Sequence, residues 1–288
     1  MVIGCTGNYR KKEYFKIIDK IFNILSKKNI KMHVSSDLLK GNYKFENNYS
    51  LLDFKDIIRK CDVIFAIGGD GTILSTVRRL QNIVKPILGI HIGRLGFLSE
   101  CVEDNLEHGI DCILKNQYEI SNRMLLQVDI ESKEIKRSLS ALNDIVISDS
   151  ASTRMFSLDV NVSGSYLNTY EGDGIIISTP TGSTAYSLSA GGPIIYPSIN
   201  SILITPICSH SLSARSIVLE SREIIIIDCP DVNNEVGLAV DGQIVIPINN
   251  KTKIKIYKSK HKVQLINLHI NGYFSTLRTK MGWSGNVR

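Results

Sequence analysis

Apolar residues in the first ninety or so positions recur at two different periods. Val2-Ile3-Gly4-Cys5 is a short unbroken run. After it Tyr14-Phe15, Ile17-Ile18, Ile21-Phe22 and Leu25 return every three or four residues among lysines, the spacing of a helix with one buried face. A second helical pattern covers Leu51 to Lys60. The run Asp62 to Ile67 reads as a strand covered on both faces, and it stops abruptly at Gly68-Gly69-Asp70-Gly71-Thr72. Ile73, Leu74, Val77 and Leu80 then resume helical spacing, and Pro86 to Ile92 is the next strand, entering Gly93-Arg94-Leu95-Gly96-Phe97. Strand, helix and strand joined by short connections predict an α/β domain with a doubly wound, Rossmann-like parallel sheet.

After about Tyr118 the pattern changes. Leu126 to Ile130, Leu142 to Ile147, Ser157 to Val162, Leu167 to Tyr170 and Gly174 to Ser178 are short and β-rich. Ile202 to Thr205, Glu223 to Asp228, Lys253 to Tyr257 and Val263 to Ile266 continue the series, with turn residues such as Ser163-Gly164 and Asn249-Asn250 between some of them. An all-β domain, a β-sandwich or an open β-layered domain, is expected here. Tyr273 to Met281 returns to a helical pattern. The predicted organisation is therefore an α/β domain over 1–118, a β-sandwich over 119–271, and a tail over 272–288 that packs back on the first domain.

Composition adds limits rather than direction. The 288 residues are 43% hydrophobic and 22% charged, as in an ordinary folded globule, which sets aside disordered, collagen-like and coiled-coil readings. The net charge of +6 suits an enzyme of anionic substrates as well as a nucleic-acid binder. The lysines are dispersed without interleaved aromatics, so a solvated face is the better reading and no nucleic-acid partner is expected. No stretch approaches the ~20 apolar residues that cross a bilayer, and the start lacks the order of a signal peptide. The six cysteines show no Cys-x-x-Cys and no metal-ligand spacing, as expected of reduced thiols in a cytoplasmic protein with no resident metal site.

Chemistry concentrates in two loops. Gly68-Gly69-Asp70-Gly71-Thr72 follows a buried strand and opens a helix. Its glycines let the backbone reach positive φ and let an anion approach the main chain, and the helix start offers N–H groups suited to phosphate. Thr72 is placed to cap that helix. The bland alternative is a tight turn carrying a polar loop residue. The turn is neither a Walker A loop nor Gly-x-Gly-x-x-Gly, and without a lysine it calls for a divalent ion or side chains from elsewhere to offset phosphate charge. The second loop follows Gly172-Asp173-Gly174-Ile175-Ile176-Ile177 and runs Ser178-Thr179-Pro180-Thr181-Gly182-Ser183-Thr184-Ala185-Tyr186-Ser187-Leu188-Ser189-Ala190-Gly191-Gly192-Pro193. Small residues and hydroxyls describe a surface on which a polar ligand lies closely, with Tyr186 offering a ring to stack on a base. Taken alone, Asp241-Gly242-Gln243 reads as a hairpin turn and Asn143-Asp144 as a bulge or strand start.

These elements together resemble the ATP-dependent NAD kinases. The resemblance rests on Gly68 to Thr72, Gly93 to Leu98, Asn143-Asp144, the Asp173 to Pro193 block, Asp241-Gly242-Gln243 and the closing Leu277-Arg278-Thr279-Lys280-Met281-Gly282-Trp283, in that order. The glycine turn alone is shared with lipid kinases such as the diacylglycerol kinases, which leaves a lipid or other small-molecule kinase, or a non-catalytic NAD-binding sensor, as alternatives. The resemblance implies transfer of the ATP γ-phosphoryl group to the 2′-hydroxyl of the adenosine ribose of NAD, with Mg²⁺ or another divalent cation, in a homodimer or homotetramer. It also implies roles. Asp70 would accept the 2′-hydroxyl proton, with Gly68, Gly69, Gly71 and Thr72 around the phosphates, and Phe97 would line the adenine end. Asn143 and Asp144 would hold hydroxyls of the dinucleotide, and Arg154 and Asp173 would contact it. Thr184, Ala185, Tyr186, Ser187, Leu188 and Ser189 would pack along it, and Gln243 would complete the pocket. Two positions depart from the family pattern: Asp144 stands where many members carry Glu, and His91 where Asn is usual, His91 reading as a loop histidine.

Overall fold

The structure is a computed structural model, and it describes residues 1–40, 49–93, 96–149, 155–232 and 236–283. The chain divides into two compact units, Met1–Asn122 with Val263–Arg288, and Arg123–Lys262. The second division falls inside one unbroken strand, Lys253–Asn267, where nothing in the polar–apolar alternation marks a break.

In the first unit the order is β1 (Val2–Gly7), α1 (Lys12–Lys27), β2 (Lys31–Ser35), β3 (Ser50–Leu52), α2 (Phe54–Lys60), β4 (Val63–Gly68), α3 (Asp70–Leu80), β5 (Pro86–His91) and α4 (Leu106–Leu114). The strands lie in the order β5-β4-β1-β2-β3, all parallel. Every residue of β4 is buried, as a central strand covered on both faces requires. The buried stripe of α1, including Ile17, Ile18, Ile21 and Leu25, joins Ile3, Phe65 and Leu88 of the sheet and Ile110 and Ile113 of α4 in one apolar cluster.

Leu51 and Leu52 do not belong to the helix predicted from Leu51 to Lys60. They form an edge strand on β2, with Val34 opposite Leu51, and the helix begins at Phe54. Three residues are too few to show a period, and these two leucines fall in phase with the helix that follows.

The second unit contains β6 (Glu119–Glu131, most of it), β7 (Lys136–Ala141), β8 (Asp144–Asp149), β9 (Phe156–Val162), β10 (Ser165–Gly172), β11 (Gly174–Ser178), the short α5 (Tyr186–Ser189), β12 (Ser201–Ile207), β13 (Ile217–Glu220), β14 (Ile225–Asp228), β15 (Val236–Val240), β16 (Ile244–Ile248) and the start of β17 (Lys253–Asn267). One antiparallel sheet runs β13-β12-β11-β8-β15-β16. Strands β10-β9-β14-β17 form a second antiparallel layer, with β6 and β7 paired beside it. Ile147, Ile175 and Ile204 of one layer and Leu158, Ile225 and Ile256 of the other share a core, so the sandwich that alternation predicts is what forms.

After β17, helix α6 (Tyr273–Met281) belongs to the first unit and ends on Gly282, whose φ of 65° is the left-handed cap that favours glycine. No helix among the described residues is long and apolar enough to cross a membrane.

Candidate active site

In the first unit the candidate residues sit where the parallel strands end. Strand β4 exits at Gly68, and Asp70 is already the first residue of α3. Gly69 occupies the cap position with φ −108°, and no side chain caps the helix. Thr72 therefore lies inside the first turn rather than capping it, because the helix begins at Asp70, ahead of its apolar pattern at Ile73. Nor do Gly68, Gly69 and Gly71 adopt positive φ. What their smallness supplies is access: a helix start that no side chain caps presents main-chain N–H groups and a positive dipole end.

The Asp70 carboxylate is held by the segment that follows β5. The N–H groups of Phe97 and Leu98 donate to its two oxygens at 2.9 and 3.2 Å. Gly96 makes this possible, since a Cβ there would land on the carboxylate, 2.6 Å from its carbon. Phe97, half-buried, thus has a clear role through its main chain. His91 lies on the other side of the glycine turn, with Cε1 3.6 Å from where a Gly69 Cβ would be. Burial keeps its imidazole below the ordinary histidine value. Asp70 pulls in the opposite direction, and Lys280 and Lys11 push it further down. The ring is neutral near pH 7.

In the second unit Asn143 and Asp144 open β8, and a single side chain fixes their backbone. The carboxylate of Asp241 accepts the N–H groups of Leu142, Asn143 and Asp144 at 3.0, 2.7 and 3.2 Å, while Asp241 N–H donates to the Asp144 carbonyl at 2.9 Å. Asp241 and Gly242 both have positive φ, 51° and 62°, and Gln243 N–H reaches the Val240 carbonyl, so a tight hairpin turn carries the clamp. Gln243 itself is exposed. Asp144 is buried, and that burial, with Asp241 beside it, pushes its acid up to about 7.

A carboxyl that keeps its proton in the fold but ionises when unfolded lowers stability as pH rises from about 4 to about 7. Asp144→Asn is therefore expected to flatten the pH dependence of unfolding. From about pH 5 to pH 8 the melting temperature of the wild type should drop by about 3 °C or more relative to that of Asp144→Asn, as read by scanning calorimetry. Parallel curves for the two proteins would remove Asp144 as the titrating group.

The hydroxyl loop is mostly turned inward. Thr179 Oγ1 donates to the Leu142 carbonyl at 2.6 Å and Ser183 Oγ to the Pro180 carbonyl at 2.7 Å, while Ser187 Oγ pairs with Thr205 Oγ1 at 2.8 Å. Ser187 thus supports the loop rather than facing out of it, and Thr184, Ala185 and Leu188 are half-buried. Tyr186 is 45% exposed and presents its ring outward, and Ser189 is exposed next to it. Thr181 Oγ1 is buried with no partner among the described residues, a hydroxyl that nothing in the spacing of the loop singles out. The loop and the Asn143 turn are pressed together, since Thr179 N–H donates to the Asn143 carbonyl at 2.8 Å.

Asp173 does not join this group. Ser178 pairs with Asp144 while Gly174 pairs with Ser148, so Asp173 sits at the opposite end of β11, roughly 16 Å along the strand. Arg154 lies outside the described residues. Among the described residues, no group of three or more His, Cys, Asp or Glu side chains could hold a metal ion.

Comparison with known proteins follows this division. The model of the ATP-NAD kinase N-terminal domain matches residues 3–118, and that of the ATP-NAD kinase C-terminal domain matches residues 142–268. The chain is 41% identical to the NAD kinase of Geotalea daltonii over 230 residues, 79% of this chain and 81% of that one. It is 34% identical to the NAD kinase of Christiangramia forsetii over the whole of both chains. The crystal structure of yeast NADH kinase complexed with NADH superposes with a TM-score of 0.88 at 26% identity, covering 100% of this chain and 89% of that one. An NAD kinase from Archaeoglobus fulgidus in complex with ATP gives 0.75 at 21% identity, covering 98% of each, and shares the fold.

Proposed function

Because the chain belongs to the NAD kinase family, its activity is phosphoryl transfer to an alcohol acceptor, NAD becoming NADP, and we propose that Asp70 is the group that receives the proton of the adenosine ribose 2′-hydroxyl. The observation that carries this is its position. A carboxylate held by two main-chain amides stands as the first residue of a helix that no side chain caps. One group can orient a hydroxyl while the helix start attracts phosphate a few ångströms away.

Phosphoryl transfer passes through a loose transition state, so the attacking oxygen need not be fully deprotonated first. A sugar hydroxyl is far less acidic than a carboxylic acid. Asp70 accordingly orients the hydroxyl and takes the proton late. The P–O bond to the ADP leaving group breaks as the bond to O2′ forms, and the hydroxyl proton ends on the carboxylate. A divalent cation bound to ATP would offset the charge of its phosphates. On the dinucleotide, Asn143 and Asp144 hold ribose hydroxyls and Tyr186 stacks on a ring. Thr181 offers its unpartnered hydroxyl, and Asp173 is left for the far end of an extended molecule. The enzyme is read as a cytoplasmic homodimer or homotetramer.

Incubation of the pure protein with ATP, Mg²⁺ and NAD is expected to yield NADP, assayed with an NADP-specific dehydrogenase. Parallel reactions with NADH, and with polyphosphate in place of ATP, define the acceptor and donor ranges. No NADP from any pairing would overturn the reading.

A further inference from the structure

In the second unit one side chain ties together two turns that both carry residues assigned to the dinucleotide. Asp241 and Gln243 belong to the hairpin turn between β15 and β16, while Asn143 and Asp144 open β8. Strand β15 pairs with β8, Val240 lying opposite Ile145, so the hairpin turn stands beside the start of β8. Oδ1 of Asp241 accepts the N–H groups of Asn143 and Asp144, and Oδ2 accepts that of Leu142. A carboxylate has two accepting oxygens for these three donors, where an amide side chain has one.

The same stretch is held from its other side. Thr179 Oγ1 donates to the Leu142 carbonyl at 2.6 Å, and Thr179 N–H and Ser178 Oγ donate to the Asn143 carbonyl at 2.8 and 3.2 Å. The Asp144 carbonyl accepts Asp241 N–H. The main chain of 142–144 is thus engaged within the fold, and what the stretch offers a ligand is the side chains of Asn143 and Asp144. The backbone of residue 241 adds a second observation. Its φ of 51° lies in the left-handed region, which a glycine adopts with less strain than an aspartate. The turn alone would be served as well by glycine, so what the aspartate contributes there is its carboxylate.

We propose that Asp241 is a positioning residue for the dinucleotide, acting through Asn143 and Asp144 by fixing the main chain from which their side chains project. The inference rests on the assignment of Asn143 and Asp144 to ribose hydroxyls made above, and adds to it the group that aims them.

The test compares replacements in the full chain, each assayed well below its melting transition. Asp241→Gly suits the turn and removes the carboxylate. It is expected to raise both the Kd for NAD, measured by titration calorimetry without ATP, and the KM for NAD by about tenfold or more. The value of kcat at saturating NAD should stay within about threefold and KM for ATP within about twofold. Asp241→Asn keeps one oxygen for the Asn143 and Asp144 N–H groups and should raise the Kd for NAD by only about threefold. Asn143→Ala should itself weaken NAD binding, and Asp241→Gly should then cost less in the Asn143→Ala background than in the wild type, because one residue acts through the other. An unchanged Kd for NAD in either Asp241 variant, an equal loss of affinity for both substrates, or fully multiplicative losses in the double variant would overturn the proposal. If Asn143→Ala weakens NAD binding and Asp241→Gly does not, the ribose assignment stands and the positioning role alone falls. If neither Asn143→Ala nor Asp144→Asn changes the Kd for NAD, the ribose assignment itself fails, and the positioning role with it.

Discussion

Asp70→Asn is expected to cut the rate of NADP formation by about a hundredfold to a thousandfold, the usual range for losing a positioned acid–base group. NAD binding should survive, because Asp70 is assigned only the 2′-hydroxyl, asparagine keeps a hydrogen-bonding group there, and the other groups assigned to NAD lie elsewhere. The side chain has a second duty that the experiment must separate from the first. Both carboxylate oxygens accept main-chain N–H groups, from Phe97 and Leu98. Asparagine can satisfy one of these and turns an amino group toward the other. A stability loss of about 1–2 kcal/mol is therefore expected, visible as a lower denaturant midpoint. The catalytic loss is larger than that and remains when the protein is assayed well below its melting transition. A kcat reduced less than about tenfold would exclude Asp70 as proton acceptor.

Gly182→Ala should do comparable damage by a different route. A Cβ at this position would overlap the main chain of Asn143, 2.5 Å from its carbonyl carbon and 2.6 Å from its Cα. No side chain there can rotate away, and the Asn143 backbone is itself fixed by Asp241 and by Thr179. The hydroxyl loop must lift off the Asn143 turn, at a cost of about 2–4 kcal/mol, and the Kd for NAD should rise at least about tenfold. Gly272→Ala is the control, since nothing stands within 4 Å of its Cβ position, and it should change stability by less than about 1 kcal/mol. Equal tolerance of both substitutions would show that the loop and the turn are not coupled.

The parts of this molecule that local pattern can specify are legible in the sequence. The buried run into Gly68, the helix that follows it, and the terminal helix from Tyr273 to Met281 all form. Helix α4 escapes the pattern although Leu106, Ile110 and Ile113 recur at helical spacing, because a helix of nine residues repeats its period too few times to stand out. The candidate site is readable as residue types but not as directions. The hydroxyls of Thr179, Ser183 and Ser187 resemble ligand donors until the fold shows them satisfied internally, and Thr181 emerges only because its neighbours are. Asp241 announces a hairpin turn. That its carboxylate also grips three amides nearly a hundred residues away depends on β8 and β15 being neighbours, which no local spacing encodes. Lys280 is a helical lysine in the sequence and a neighbour of His91 only in three dimensions.

The first unit is stitched from both flanks of the second, and that has a bearing on its manufacture. Arg123–Lys262 leaves the ribosome as one continuous stretch, whereas the glycine turn emerges early and must wait for Val263 onward before its unit is whole. A message broken or misread after Lys262 yields polypeptide with the sandwich encoded in full and the terminal helix missing. Such a product lacks α6, and with it the Lys280 that neighbours His91.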